Sequence, residues 1–138
     1  MKWFRSLKSM WKPSTPIRVA ENLNHLKWIV EHEIEKHGTA VDLNHVDVSR
    51  LSSLHGVFSR SPFCGDISRW DVSNVEDFSN LFMESQISCD LSQWNTSKAT
   101  CMHKTFGGCK KVPNISSWDV SRVQDMQGMF SQTFVDVD

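Results

Sequence analysis

The sequence predicts an α/β repeat solenoid in which four 24-residue leucine-rich-type repeats follow a helical N-terminal cap. Three observations lead to this prediction. The chain is self-similar every 24 residues from Asp42 onwards, its apolar residues return to the same columns, and an 18-residue helical pattern precedes the first repeat. A unit this short cannot bury its apolar side alone, so neighbouring units are expected to stack.

The chain divides into three parts on this basis. Residues 1–16 form a basic amphipathic segment, residues 17–41 the helical cap, and residues 42–138 the solenoid. In the cap, Asn22 is a suitable N-cap, an apolar stripe runs from Leu23 to Ile34, and Gly38 is a natural stop. This helix is expected to cover the first repeat.

Each repeat combines two periodicities. The first part alternates like a short strand, and it contains the column Val46, Trp70, Trp94 and Trp118. The second part carries apolar residues at helical spacing, as in Val75, Phe78, Leu81 and Phe82. A serine stands between the two parts, where its hydroxyl would cap the predicted helix: Ser49, Ser73, Ser97 and Ser121.

The pattern DISxWDVSxVxDMxxMF, which these repeats share, resembles the BspA-like leucine-rich repeats of bacterial surface proteins and their short cytosolic and phage-encoded relatives. The resemblance covers residues 42–138. It implies a right-handed solenoid used for adhesion or protein recognition. Unlike the surface members, this chain shows no export signal and no wall or lipid anchor.

Two acidic columns are candidate ligands or structural turn residues. The first holds Asp42, Asp66, Asp90, Asn114 and Asp138, and the second holds Asp47, Asp71, Asn95 and Asp119. Stacked carboxylates repel unless they are bonded or neutralised. Since each column accepts an asparagine, hydrogen bonds to nearby backbone explain the columns better than calcium does.

No catalytic set, cofactor signature or metal site is predicted. His32 and His37 are five residues apart, so they do not form an HExxH pair. Cys101, His103 and Cys109 lack a fourth ligand at suitable spacing. We therefore expect a protein that is not an enzyme.

Charge and targeting signals narrow the class of partner. Residues 1–16 hold four basic and no acidic side chains, whereas the remainder holds 11 basic and 16 acidic ones. This acidic body disfavours nucleic acid as a partner. The sequence has neither a secretory signal nor a membrane span, and we expect a cytoplasmic protein, in the host cytosol if it is phage-encoded.

Candidate partner-binding residues occupy variable positions beside the fixed columns. One set lies beside the tryptophans, a second beside the serines, and a third makes one side of the third repeat basic. In that order they are His45, Arg69 and Gln93; then Arg50, Lys98 and Arg122; then His103, Lys104, Lys110 and Lys111. An acidic protein surface, and in second place a nucleic acid, would suit the basic side of the third repeat, and an ordinary solvated face is the alternative.

The two ends of the chain provide further candidates. Trp3, Phe4, Leu7 and Trp11 share one side of a basic N-terminal segment, which either docks on a membrane or partner or packs as a flap on the cap. At the other end no capping motif follows the fourth repeat. Its open edge predicts a homodimer or a partner that covers it, with fraying as the alternative.

The function expected from this sequence is a non-catalytic protein-binding module, an intracellular inhibitor or adaptor encoded by a bacterium or mobile element. The alternative is a membrane- or cell-surface-associated adhesin of the BspA-like type. The solenoid prediction and the missing catalytic set support both.

Overall fold

The computed structural model describes residues 15–133. Its regular elements are strand β1 (Arg18–Val19), helix α1 (Leu23–His37) and strand β2 (Val46–Asp47). The two strands pair in parallel, with Arg18 opposite Val46. Between residues 48 and 133 the chain consists of turns, bends and isolated bridges.

The predicted α/β repeat solenoid, with a strand and a helix in each repeat, is therefore wrong. Residues 15–133 contain one helix and one sheet of two strands, each two residues long. The 24-residue period of the sequence is retained in the structure as contacts between residues at equivalent positions. We call residues 42–65, 66–89, 90–113 and 114–133 the first to fourth segments.

Overlapping turns replace the predicted helices. In the first segment, the N–H groups of Val57, Ser59 and Ser61 each donate to the carbonyl three residues earlier, at 3.1–3.2 Å. Left-handed residues interrupt every such run and prevent a helix from propagating. They recur at two equivalent positions in each segment: Gly56 and Arg60, Asn80 and Glu84, Lys104 and Gly108, and Gly128 and Gln132.

Aspartate turns replace most of the predicted strands and helix caps. The side-chain oxygen of Asp47 accepts a hydrogen bond from the N–H of Ser49, and Asp119 does the same for Ser121. Ser49 and its equivalents therefore donate backbone bonds to the acidic column and cap no helix. The turn interpretation of both acidic columns is confirmed, because Asp66 and Asp90 bond the N–H two residues on in the same way.

Helix α1 is confirmed with its predicted ends. Asn22 accepts a hydrogen bond from the N–H of His25, and the N–H of Gly38 donates to Ile34 where the helix stops. Leu26, Ile29 and Val30 face inward and belong to the same apolar core as the first segment. The helix thus covers one end of the molecule.

Contacts between residues 24 apart order the segments side by side. Parallel bridges join Ser53 to Asp77, Asp77 to Cys101, and Cys101 to Asp125. The rings of Trp70, Trp94 and Trp118 stack with centroids 6.4 and 6.0 Å apart and interplanar angles of 5°. Each indole N–H also donates to a carbonyl of the preceding segment, at 2.9–3.1 Å.

The turn at Asp66 gives stability a pH dependence. Partial burial opposes ionisation, but hydrogen bonds from Ser68 and Asn44 outweigh it and lower the pKa of Asp66 below its usual 3.8. A carboxyl group whose pKa is lowered by folding stabilises the fold at pH values above its pKa in the unfolded chain. This stabilisation is lost as the pH falls through its pKa in the folded chain. Asp66→Asn keeps the acceptor but removes the charge.

We therefore expect the urea midpoint of the wild-type chain to fall more steeply than that of Asp66→Asn as the pH drops from about 5 to about 2. Chemical denaturation at several pH values measures both midpoints. Parallel curves for the two chains would show that Asp66 contributes nothing to the acid sensitivity.

Candidate interaction surface

The fourth segment exposes apolar side chains that the other segments bury. Val120, Met126 and Phe130 are 42%, 42% and 43% exposed. Their equivalents in the first three segments are at most 1% exposed: Val48, Val72 and Thr96; Leu54, Phe78 and Met102; and Phe58, Phe82 and Phe106. The described part of the fourth segment thus has an exposed apolar face, which we call the open end.

The inner part of the open end is held in place by the third segment. Trp118 stacks on Trp94 and donates its indole N–H to the carbonyl of Leu91 at 3.0 Å. Phe130 stacks on Phe106 with a centroid separation of 6.1 Å and an interplanar angle of 4°. One face of each ring is therefore packed. Phe130 presents much of its remaining surface outward.

The backbone of the open end carries a row of hydrogen-bond donors. In the third segment, the N–H groups of Met102, Lys104, Phe106 and Gly108 donate to fourth-segment carbonyls at 2.8–3.0 Å. The equivalent donors in the fourth segment are the N–H groups of Met126, Gly128, Phe130 and Gln132, and residues 15–133 supply no acceptor for them. The open end is thus apolar and also has unused backbone donors.

Charged groups are present in the fourth segment and at its contact with the third. Hydrogen bonds from the side chain and backbone of Ser121 lower the pKa of Asp119, so this exposed carboxylate is charged near neutrality. Asp125 lies with its carboxylate 3.6 Å from the Nδ1 atom of His103. Arg122, a predicted partner-binding residue, is exposed in the same segment. The fourth segment thus carries charged side chains as well as the exposed apolar ones.

The structure does not gather the other predicted partner-binding residues into one patch. His45 contacts Glu33 of α1 at 3.9 Å and is mostly buried, so it joins the cap to the first segment. The backbone N–H of Arg69 donates to Asn44 in the preceding segment. Lys98 donates to Asn74 at 2.9 Å, whereas Arg50 and Gln93 are exposed.

The basic side of the third segment is likewise dispersed. His103 faces Asp125, and Lys104 occupies a left-handed turn position with φ of 52°. Lys110 and Lys111 are solvent-accessible in the connection to the fourth segment. No contact described for residues 15–133 links these four side chains. Trp3, Phe4, Leu7 and Trp11 lie outside the described residues.

The opposite end of the molecule is closed by α1. Glu33 contacts Arg18 at 3.2 Å, His37 at 3.7 Å and His45 at 3.9 Å, which ties the helix to β1 and the first segment. A groove of about 520 Å³ remains between the helix and the first segment, lined by Val30, Ile34, Val57, Ser59 and Pro62 among others. One end of the molecule is therefore covered by a helix, whereas the open end exposes apolar side chains.

The cysteines provide a test of the burial pattern. Burial raises the pKa of Cys89 to about 11 and also raises that of Cys109, whose thiol donates to the carbonyl of Phe82 at 2.8 Å. Cys64 is exposed, and all four thiols are free.

Since the thiolate is the reactive form, Cys64 is expected to react with iodoacetamide well before Cys89 and Cys109 at about pH 8. Peptide mass spectrometry after timed labelling measures this order, and early labelling of Cys109 would contradict the packing described.

Within residues 15–133, no group of three or more histidine, cysteine or acidic side chains is placed to hold a metal ion. No helix in that range has the length and apolar character needed to cross a membrane. The feature that distinguishes the fourth segment from the other three is the exposure of its apolar side chains at the open end.

A family model described as "Mycoplasma protein of unknown function, DUF285" matches residues 25–135. The match covers most of the chain, and the protein belongs to this family. Comparison with the curated proteins and with the solved structures found no match.

Proposed function

We propose that this protein is a non-catalytic protein-binding module that binds its partner through the open end. The observation that carries the proposal is the exposure of Val120, Met126 and Phe130, at 42–43%, in columns that are otherwise buried. Exposed apolar surface is typical of protein-binding sites. Phe130 is suited to anchor a partner, because its position is held by the stack on Phe106.

The family supports the same proposal at a finer level. DUF285 is associated with BspA-like surface repeat proteins, and the shared DISxWDVS pattern is what relates this chain to them. We infer that the chain is a short BspA-like member that uses its packed segments for protein recognition. Whether binding inhibits the partner or bridges it to another molecule depends on which partner surface is covered.

Phe130→Asp provides the test. A carboxylate at this position would have to be buried without a counter-ion in the complex, which is strongly unfavourable. We expect the affinity for the native partner to fall by at least about tenfold. Because Phe130 is 43% exposed in the free chain, its replacement should lower the melting temperature less than replacement of the fully buried Phe106 would.

The experiment uses tagged wild-type, Phe130→Asp and Ile17→Asp chains as baits in lysate from the source cell, followed by calorimetry with the purified partner. Ile17→Asp is the matched control, since Ile17 is an exposed apolar residue at the closed end, 54% exposed. We expect one stoichiometric protein to be retained by the wild-type and Ile17→Asp chains only. Equal retention by all three baits, or recovery of the baits alone, would refute binding through the open end.

A further inference from the structure

The row of free N–H donors at the open end restricts which polypeptide backbone can cover that end. Inside the molecule, each such row is satisfied by carbonyls of the next segment, as when Phe82 donates to Thr105 and Phe106 donates to Met129. Within residues 15–133, the open end has these four N–H groups as free donors, and it also has a free acceptor in the carbonyl of Gln124, whose equivalents at Ser52, Glu76 and Thr100 each accept from the next segment. A covering backbone must therefore present carbonyl oxygens at matching positions, because buried N–H groups without acceptors are costly.

The spacing of this row excludes an ordinary extended strand. Overlapping turns bring the N–H groups of Met129, Ser131 and Thr133 onto carbonyls three residues earlier, at 3.1–3.2 Å. The Cα atoms at the two ends of such a turn lie within about 7 Å, whereas three residues of a strand span about 10 Å. A strand would lose register with the row after one or two bonds. A segment with the same turn-built backbone keeps register throughout.

A second intact copy of this chain cannot supply that segment. Two open ends placed face to face would oppose one donor row to another, and the Gln124 carbonyl of each copy could not satisfy the four donors of the other. The matching acceptors are the carbonyls of Ser53, His55, Val57 and Ser59 in the first segment, for which residues 15–133 supply no donor. Two of these residues, Val57 and Ser59, line the groove beside α1. The buried side chains of Leu26, Ile29 and Val30 pack into the same apolar core as the first segment and so occupy the apolar face that an incoming segment would need.

We propose that the open end docks a turn-built segment of the same kind as its own, presented by a partner chain whose first such segment carries no covering helix. This inference rests on the proposed function and names the class of partner. Helix α1 then has a second role, which is to keep copies of this chain from adding head to tail. A heterologous contact of that type does not close on itself and would otherwise produce open chains.

A variant of the full chain provides the probe for such a partner. Leu26→Asp combined with Ile29→Asp should release α1 and uncover the acceptor row of the first segment. Near-ultraviolet circular dichroism of the stacked tryptophans reports whether the segments remain folded. If that signal is lost in the double variant, the single variant Val30→Asp serves as the probe.

The test mixes isotope-labelled wild-type chain with the unlabelled probe and follows amide exchange by NMR. We expect a complex in which the amides of Met126, Gly128, Phe130 and Gln132 exchange at least about tenfold more slowly than in the free chain. Phe130→Asp in the labelled chain should abolish the complex. The wild-type chain alone should stay monomeric in sedimentation analysis at the same concentrations.

Three results would overturn the inference. They are failure of the folded probe to bind, binding without protection of the four amides, and self-association of the wild-type chain that Phe130→Asp removes. The second would indicate a partner that covers only the apolar face, such as a helix. Loss of the native partner on Phe130→Asp together with unprotected amides would leave the proposed function standing and remove this inference alone.

Discussion

Replacing Trp94 by alanine is expected to lower the free energy of unfolding by about 3–5 kcal/mol. Trp94 lies in the middle of the tryptophan stack, between Trp70 and Trp118, and it is almost completely buried. Its ring also contacts Phe78 and Phe82, with centroids 6.3 and 6.0 Å away. Truncation would leave a large cavity that both neighbouring segments line, and it would remove the indole donor from the carbonyl of Ile67.

Trp28→Ala is the matched control, because it removes the same side chain from the outer face of α1. Trp28 is 52% exposed, stacks on His32 at 5.1 Å and lies under the guanidinium of Arg18 at 5.0 Å. Contacts of this kind at an exposed site contribute about 0.5–1 kcal/mol. Urea denaturation followed by circular dichroism compares the two variants. Similar losses in both would show that the tryptophan stack does not hold the segments together.

Gly65→Ala is expected to destabilise the chain by about 3 kcal/mol, near the upper end of what overpacking usually costs. A Cβ atom at this position would clash with the carbonyl oxygen of Val41 and would lie 2.9 Å from the carbonyl carbon of Ala40. Both belong to the backbone that follows α1, so no side chain can move aside. That backbone is itself tied to the first segment by the bond from Cys64 to Thr39, at 2.8 Å.

Gly107→Ala provides the comparison within the same chain. The nearest atom to its added Cβ is the carbonyl oxygen of Gly128 at 3.4 Å, which is an ordinary contact. We expect its effect to stay within about 0.5 kcal/mol. Thermal denaturation of both variants measures the difference. Equal melting temperatures would mean that the connection between α1 and the first segment yields more readily than its hydrogen bonds suggest.

The parts of the fold that the sequence predicted correctly are those that side chains specify locally. Asn22 and Gly38 bound α1 because one offers a side-chain acceptor and the other a stop without a Cβ atom. The aspartate turns follow from the short reach of a carboxylate to the N–H two residues on, as from Asp47 to Ser49. The tryptophan column of the sequence is likewise present in the structure as a stack of rings.

The predicted strand and helix in each repeat failed because apolar spacing does not separate a helix from a run of overlapping turns. Phe78, Leu81 and Phe82 are buried in either conformation. What decides between the two is the left-handed backbone at Asn80 and Glu84. The left-handed conformation is adopted mostly by glycine and asparagine, so a glutamate in the sequence gives almost no indication of it.

The candidate site was predictable only in part. Met126 and Phe130 lie in apolar columns that the sequence shows, but their exposure is visible only in the structure. The row of free N–H donors belongs to the backbone, so no residue type in the sequence predicts it. The dispersed placement of Lys98 and Lys104 depends on turn geometry, which the repeat alignment did not contain.

The tryptophan bonds and the segment-to-segment backbone bonds each connect one segment to an adjacent one: Trp94 reaches Ile67, and Phe82 reaches Thr105. Architectures of this kind can gain or lose whole units without altering the rest. Adjacent backbones spaced as in a sheet lie about 5 Å apart. Insertion or deletion of one 24-residue unit would thus shift the open end along the molecule in steps of that size, so that the number of units sets the distance between the closed end and the open end.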